Sequence, residues 1–201
     1  MQKNIIKNRT IVFAALLAFL PFFVFAQSGD DLALKDADND GIANGEEARY
    51  RTSPNNPDTD GDGYADGNEI GHGYDPLKGD HARLPKRIEV DLSEQKLIYS
   101  YGEYGTQGSF LISSGLRKTP TPAGTFRVLK KLPKVRYKGV GYDYKNTKWN
   151  LMFLDHYYIH GAYWHNNFGK PMSHGCVNVS YKDMEGLYAF ADEGTEIIIH
   201  K

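Results

Sequence analysis

From Arg87 onward the chain alternates. Arg87-Ile88-Glu89-Val90-Asp91-Leu92 makes every second residue apolar, the period of a strand with one buried face. Ser93-Glu94-Gln95 reads as a turn, and 96–101 as a second strand, so the pair predicts a hairpin. Further strands are predicted over 110–115, 124–129, 151–154, 157–160, 176–179 and 195–199, with the stiff loop Thr119-Pro120-Thr121-Pro122-Ala123-Gly124 between the third and fourth. Only one segment has helical period. Ser180 caps it, Asp183 stands where a capping box needs an acceptor, and Met184, Leu187, Tyr188 and Ala191 share one face. Many short strands with one helix predict a mainly β domain, a sandwich or barrel-like sheet. The aromatic residues between Tyr137 and Tyr163 read as core or groove lining.

The N-terminus follows a different pattern. Lys3, Lys7 and Arg9 precede an apolar run over 11–25 that ends at Val24-Phe25-Ala26, the layout of a secretory signal cleaved after Ala26. The run is shorter than the ~20 residues a spanning helix needs, so no stable membrane anchor is expected after cleavage. The expected location is the periplasm or cell envelope. This gives a signal peptide over 1–26, a small module over 27–80 and a larger one over 81–201.

Charge separates the two modules. From Asp30 to Asp80 there are 14 acids and 4 bases; from His81 to Lys201 there are 11 acids and 17 bases. A basic module can bind nucleic acid, but an export signal excludes that partner, and an anionic envelope polymer suits its field better.

The acidic module repeats with an offset of 22 residues. Each copy carries D-x-D-x-D-G-x5-E, the spacing that gives calcium its oxygen ligands at loop positions 1, 3, 5, 7, 9 and 12. Those positions are Asp36, Asp38, Asp40, the Ile42 carbonyl, Asn44 and Glu47 in the first copy, and Asp58, Asp60, Asp62, the Tyr64 carbonyl, Asp66 and Glu69 in the second. Gly41 and Gly63 fill the sharp-turn position. An EF-hand pair is excluded, because residues 48–57, with Pro54 and Pro57, leave no room for an exiting and an entering helix. Asn56-Pro57-Asp58-Thr59-Asp60-Gly61-Asp62-Gly63 resembles bacterial thrombospondin type 3 repeats. The resemblance implies a calcium-wrapped rod with little apolar core.

Cys176 is the only cysteine, so it has no partner for an intramolecular disulfide. It follows His174-Gly175, and a second His-Gly pair, His160-Gly161, lies upstream. An imidazole can take the proton of a thiol or stabilise a thiolate. Either histidine is a candidate. His174 shares a face with Cys176 in a strand but not in a turn, and a carbonyl beside His160 can hold its tautomer. The Gly175 and Cys176 N–H groups are candidate oxyanion donors. Ser173 is a candidate donor to an imidazole or a substrate carboxylate. His160, His174 and Cys176 also allow a three-ligand zinc site with an open position.

Ser173-His174-Gly175-Cys176-Val177-Asn178, with His160 upstream, resembles the motif of the L,D-transpeptidase catalytic domain, also called the YkuD-type domain. The loop 119–126 resembles that family's threonine–proline–glycine–threonine–phenylalanine segment. The resemblance covers about 86–200. It implies Cys176 as nucleophile, His160 as base oriented by the Gly161 carbonyl, His174 and the backbone at Gly175 and Cys176 as oxyanion stabilisers, and Asn178 as a support of the loop. It implies peptidoglycan tetrapeptide stems as substrate, covalent inhibition by carbapenems, and no cofactor for catalysis. Two other readings remain open at this point: a thiol L,D-carboxypeptidase on the same scaffold, and a calcium-dependent wall-binding module without turnover. The repeats are a spacer, a wall anchor or a lid on the basic cleft.

Overall fold

A computed structural model describes residues 33–201; the signal-peptide reading and the first residues of the repeat module lie outside the described residues. Two sheets carry the larger module. The first has the order β3 (Thr106–Leu111), β2 (Lys96–Ser100), β1 (Arg87–Asp91), β9 (Glu196–His200), β4 (Gly124–Arg127). The second has the order β5 (Lys130–Gly139), β6 (Tyr142–Leu154), β7 (Tyr157–Ala162), β8 (Val177–Ser180). Most neighbours are antiparallel, but β1 with β9 and β7 with β8 are parallel. Inward residues of both sheets form one core: Ile88, Val90, Leu97, Phe153, Ile159, Val177, Val179, Ile197 and Ile199. The helix over Tyr181–Phe190 closes it with Met184 and Leu187. Its cap is Ser180, whose Oγ accepts from Asp183 N–H and donates to the Asp183 carboxylate.

The alternating strands fall close to where the hydrophobic pattern puts them. Two regions differ. The third strand ends at Leu111 rather than Gly115, because Ser113 and Gly115 leave the sheet edge and bridge to Asn178 and Ser173. The long hairpin β5–β6 extends through 130–150, where the sequence predicts no strand. Most of β5 is exposed, so it has no apolar face to produce a period. The hairpin is held instead by its ladder and by the cross-strand ion pair Arg136–Asp143, with Tyr142 and Tyr144 stacked along β6.

In the acidic module each loop is followed by one seven-residue helix, α1 (Asn44–Tyr50) and α2 (Asp66–His72); the helix over Tyr181–Phe190 is therefore α3. No helix lies between α1 and the second loop. The module is more than an extended rod. Tyr50 stacks on Tyr104 at 6.0 Å, and these two with Leu84 form a second small core, flanked by Ile70, Leu77 and Tyr101. Arg49 donates to the carbonyls of Tyr104 and Thr106 at 2.9 and 2.8 Å, and Arg51 pairs with Glu103. Tyr104 Oη donates to the fully buried Asp75 at 2.9 Å. Burial works to raise the Asp75 carboxyl, but hydrogen bonds from Lys78 and Tyr104 outweigh it and hold the pKa below its usual value. The repeats thus dock on the β2–β3 turn.

Tyr104→Ala removes the aromatic stack and leaves Asp75 short of a donor. We expect it to weaken the docked module by about 3 kcal/mol. Limited proteolysis within 33–85 will accelerate while cleavage within 86–201 stays unchanged; equal rates in both segments relative to the unaltered chain would contradict the docking.

Candidate active site

Strand alternation builds the site. In the parallel pair β7–β8, Ile159 lies beside Val177 and His160 beside Asn178. Ile159, Val177 and Val179 point into the core and are fully buried. The opposite face therefore carries His160 and Asn178, with Cys176 two positions before Asn178 on the same side. These three line one cavity with Tyr137, Tyr142, Tyr144, Trp164, Met172, Ser173 and His174. Among the described residues, none of the repeats lines this cavity.

His160 is 3 % exposed, and its Nδ1–H donates to the Gly161 carbonyl at 3.0 Å. That bond leaves Nε2 as the acceptor nitrogen. Gly161 is required by space: a Cβ there would lie 2.5 Å from the Tyr181 ring. Tyr137 stacks on the imidazole at 4.5 Å, and its hydroxyl donates to the buried Asn150 at 2.9 Å. Asn150 in turn holds the carbonyls of Leu132 and Thr147.

The segment before Cys176 is a turn, not a strand. Gly175 has φ +123°, and a Cβ on it would meet Tyr157 at 2.7 Å. His174 is consequently turned outward, exposed, with its ring stacked on Tyr142 at 5.0 Å. Two expectations for this turn are corrected. The Gly175 N–H donates to Ser173 Oγ at 3.0 Å, so it is engaged within the turn rather than aimed at a substrate oxygen. Ser173 Oγ itself donates to the Cys176 carbonyl in a short contact, so Ser173 shapes the turn and holds neither imidazole nor carboxylate. The Thr-Pro loop braces the assembly from behind: Thr121 Oγ1 donates to the Gly175 carbonyl and accepts from Gly115 N–H, each at 2.9 Å. Asn178 pairs with Ser113 through both backbone bonds, and its side-chain amide contacts His165 Nε2 at 3.0 Å.

Cys176 is half-buried, and its thiol faces the His156 carbonyl at 3.8 Å. Burial pushes its pKa up to about 11, against a smaller opposing pull from the Tyr158 N–H. Burial also pushes His160 down to about 4. At neutral pH the resting pair is a thiol and a neutral imidazole. The zinc reading is not supported by this arrangement: His160, His174 and Cys176 do not bring one ligand atom each within 4.8 Å of one another, whereas four groups in and beside the repeats do.

Those groups are Asp36–Asp38–Asp40, Asp58–Asp60–Asp62, Asp40–Glu47–Asp66 and Asp62–Glu69–His81. Both oxygens of Asp38, Glu47 and Glu69 are buried without a hydrogen-bond partner, as are single oxygens of Asp60 and Asp62. Burial and the neighbouring carboxylates push Glu47 and Glu69 up to about 7. Orphaned buried carboxylate oxygens facing one another fit a divalent, oxygen-seeking ion such as calcium. The position-9 residues also hold their loops together. Asn44 Oδ1 accepts from Ala37 N–H, and Asp66 accepts from Thr59 N–H and Oγ1, so each braces its own loop, while Asp66 also joins the group of the first repeat. The cavity aromatics Tyr137, Tyr142, Tyr144 and Trp164 carried only the signal of aromatic clustering. His165 and His81 carried none.

Comparison with known proteins agrees with this geometry. Residues 85–199 match the L,D-transpeptidase catalytic domain, and residues 36–57 and 58–79 each match the bacterial TSP3 repeat. YkuD of Bacillus subtilis is 26% identical over 122 residues, which cover 61% of this chain and 70% of that protein. A solved cysteine-to-serine variant of Enterococcus faecium L,D-transpeptidase has 29% identity and a TM-score of 0.53, covering 58% of this chain and 50% of that one. L,D-transpeptidase 3 from Mycobacterium tuberculosis, solved with a faropenem-derived adduct, has 22% identity and a TM-score of 0.56, covering 60% and 62%. The chain thus spans less than two thirds of either solved relative.

The resting protonation state can be read by alkylation. Iodoacetamide should modify Cys176 slowly at pH 7, with a rate that climbs about tenfold per pH unit up to about pH 10. A rate plateau already reached near pH 6 would show a thiolate–imidazolium pair instead.

Proposed function

The chain belongs to the L,D-transpeptidase catalytic-domain family, and from that premise we propose that it is a cysteine acyltransferase acting on peptidoglycan tetrapeptide stems. The observation that carries the reading is one face of β7–β8 that brings a tautomer-fixed imidazole, a half-buried thiol and an aromatic-walled cavity together. Because thiol and imidazole rest neutral, proton transfer accompanies attack. Cys176 Sγ bonds to the carbonyl carbon of the stem's third residue while His160 Nε2 takes the thiol proton. The carbonyl electrons move to oxygen. With the Gly175 N–H engaged by Ser173, the Cys176 N–H and the His174 ring are the candidate donors to that oxyanion. Collapse breaks the bond to D-alanine, whose amine takes the proton from His160, and a thioester remains. An amine of a neighbouring stem then attacks it to give a 3–3 cross-link. Water attacking the same thioester would trim the stem, which is the carboxypeptidase alternative. A wall-binding role without turnover leaves the oriented His160 unexplained.

The basic balance of 81–201 suits a carboxylate-rich polymer. Similarity to a protein that carries a faropenem-derived adduct supports carbapenem-type inhibition here. Export to the periplasm or envelope suits this substrate, and the repeats are read as structural calcium sites. Asp36, Asp38, Asp40 and Glu47, with Asp66, would hold one ion, and Asp58, Asp60, Asp62 and Glu69 the other. Calcium held by these residues would supply the positive charge that their buried carboxylates lack.

Intact-protein mass after a carbapenem should rise by one adduct, absent in Cys176→Ala. His160→Gln should slow acylation by about 10²–10⁴-fold. Incubation with stem tetrapeptides should give cross-linked dimers; shortened monomers alone would favour the carboxypeptidase, and no product with no adduct would remove the enzymatic reading. Chelation with EGTA should make 36–80 several-fold more sensitive to protease, because ion binding to the folded state alone stabilises it. Unchanged cleavage there would count against calcium.

A further inference from the structure

The loop between β7 and β8 carries a second histidine close to the site. His165 is half-buried, with its ring 4.9 Å from Phe168, and it follows Trp164 of the cavity wall. Both of its ring nitrogens are engaged. The Asn167 N–H donates to Nδ1 at 3.2 Å, and the Asn178 side-chain amide lies 3.0 Å from Nε2. The loop is pinned at the same place. Ser113 Oγ donates to the Asn167 carbonyl at 3.1 Å, and Ser113 pairs with the Asn178 backbone.

These contacts decide which end of the amide faces the ring. Burial holds the His165 pKa below its usual value, so at neutral pH the ring is neutral and carries one proton. Nδ1 accepts from Asn167, so that proton sits on Nε2. Nε2 then donates and needs an oxygen opposite it. An Asn178 NH2 group there would set two donors head to head. Moving the proton to Nδ1 would only transfer the clash to the Asn167 N–H. The one consistent arrangement puts Asn178 Oδ1 against Nε2–H.

The other end of the amide is therefore the NH2. That end is buried and has no hydrogen-bond partner among the described residues, on a side chain whose residue is only 2 % exposed. Asn178 lines the cavity beside His160 and Cys176, whereas His165 does not. A buried donor left unpaired is unfavourable, and an oxygen of a ligand in the cavity would relieve it.

We propose that His165 is a positioning residue: its Nε2–H fixes the Asn178 amide with the NH2 toward the cavity, where it donates to a peptide carbonyl oxygen of the bound stem. The inference rests on the proposed function. His165 touches no substrate itself. A residue without a ring N–H at this position would leave the amide free to turn and present its oxygen, which repels a carbonyl.

The test uses the full chain labelled with nitrogen-15 histidine. A long-range nitrogen–proton correlation at pH 7 should show His165 as the Nε2–H tautomer, its signal assigned by its loss in His165→Gln. KM for stem tetrapeptide and kcat are then measured by dimer formation. His165→Phe should raise KM about 3- to 10-fold with kcat within about 2-fold, the pattern of a lost binding contact. His165→Gln, which keeps a side-chain N–H, should recover most of the loss. Asn178→Asp, which accepts at both ends, should lose at least as much as His165→Phe. Thermal unfolding checks that each variant is folded; if His165→Phe is not, the tautomer and Asn178→Asp decide. An Nδ1–H tautomer, an unchanged KM in His165→Phe or Asn178→Asp, or equal losses of kcat in His165→Phe and His165→Gln overturns the proposal. Normal turnover with any of these results defeats this inference alone. No turnover by the unaltered chain defeats the functional reading, and this inference with it.

Discussion

The register of β7 against β8 governs the catalytic module. Ile159 beside Val177 is a core contact, and the same ladder sets His160 beside Asn178 on the other face. A slip of one residue would turn the valines out and bury the cavity residues, so core packing and site geometry are enforced together. The energy that holds the site is the hydrophobic burial behind it. The polar contacts of the turn, through Ser173 and Thr121, adjust a position the core has already chosen.

The two modules are joined on the side of the β2–β3 turn, away from the residues that line the cavity. Arg49 and Tyr50 reach that turn from α1, a helix of only seven residues that also carries Glu47. So short a helix has little intrinsic stability in water. What fixes it is its two ends: a buried carboxylate on one side and an aromatic and guanidinium grip on the other. The buried Glu47 carboxylate and the docking contacts therefore act on the same backbone, and ordering one favours the other.

Much of this was legible from residues. Strands β1, β2 and β9 alternate cleanly because one face is core. The capped helix was readable from Ser180 and Asp183. The hairpin β5–β6 was not, because its residues face solvent and its pairing leaves no hydrophobic period. At the site, the motif gave the residue types and the fold brings His160, Cys176 and Asn178 to one cavity. The direction of the Gly175 N–H was hidden, since it depends on a φ and a serine rotamer that no spacing encodes. His81 was hidden for a related reason. It lies outside both repeats in sequence and meets Asp62 only through the path of the linker.

The elevated Cys176 pKa has a consequence for oxidation. Peroxide and other mild oxidants attack sulfur as thiolate. A sulfur that stays protonated offers those oxidants little to react with. The same burial thus shields the Cys176 sulfur from sulfenic and sulfinic acid formation. A chain with a single thiol has no resolving partner to reverse such damage.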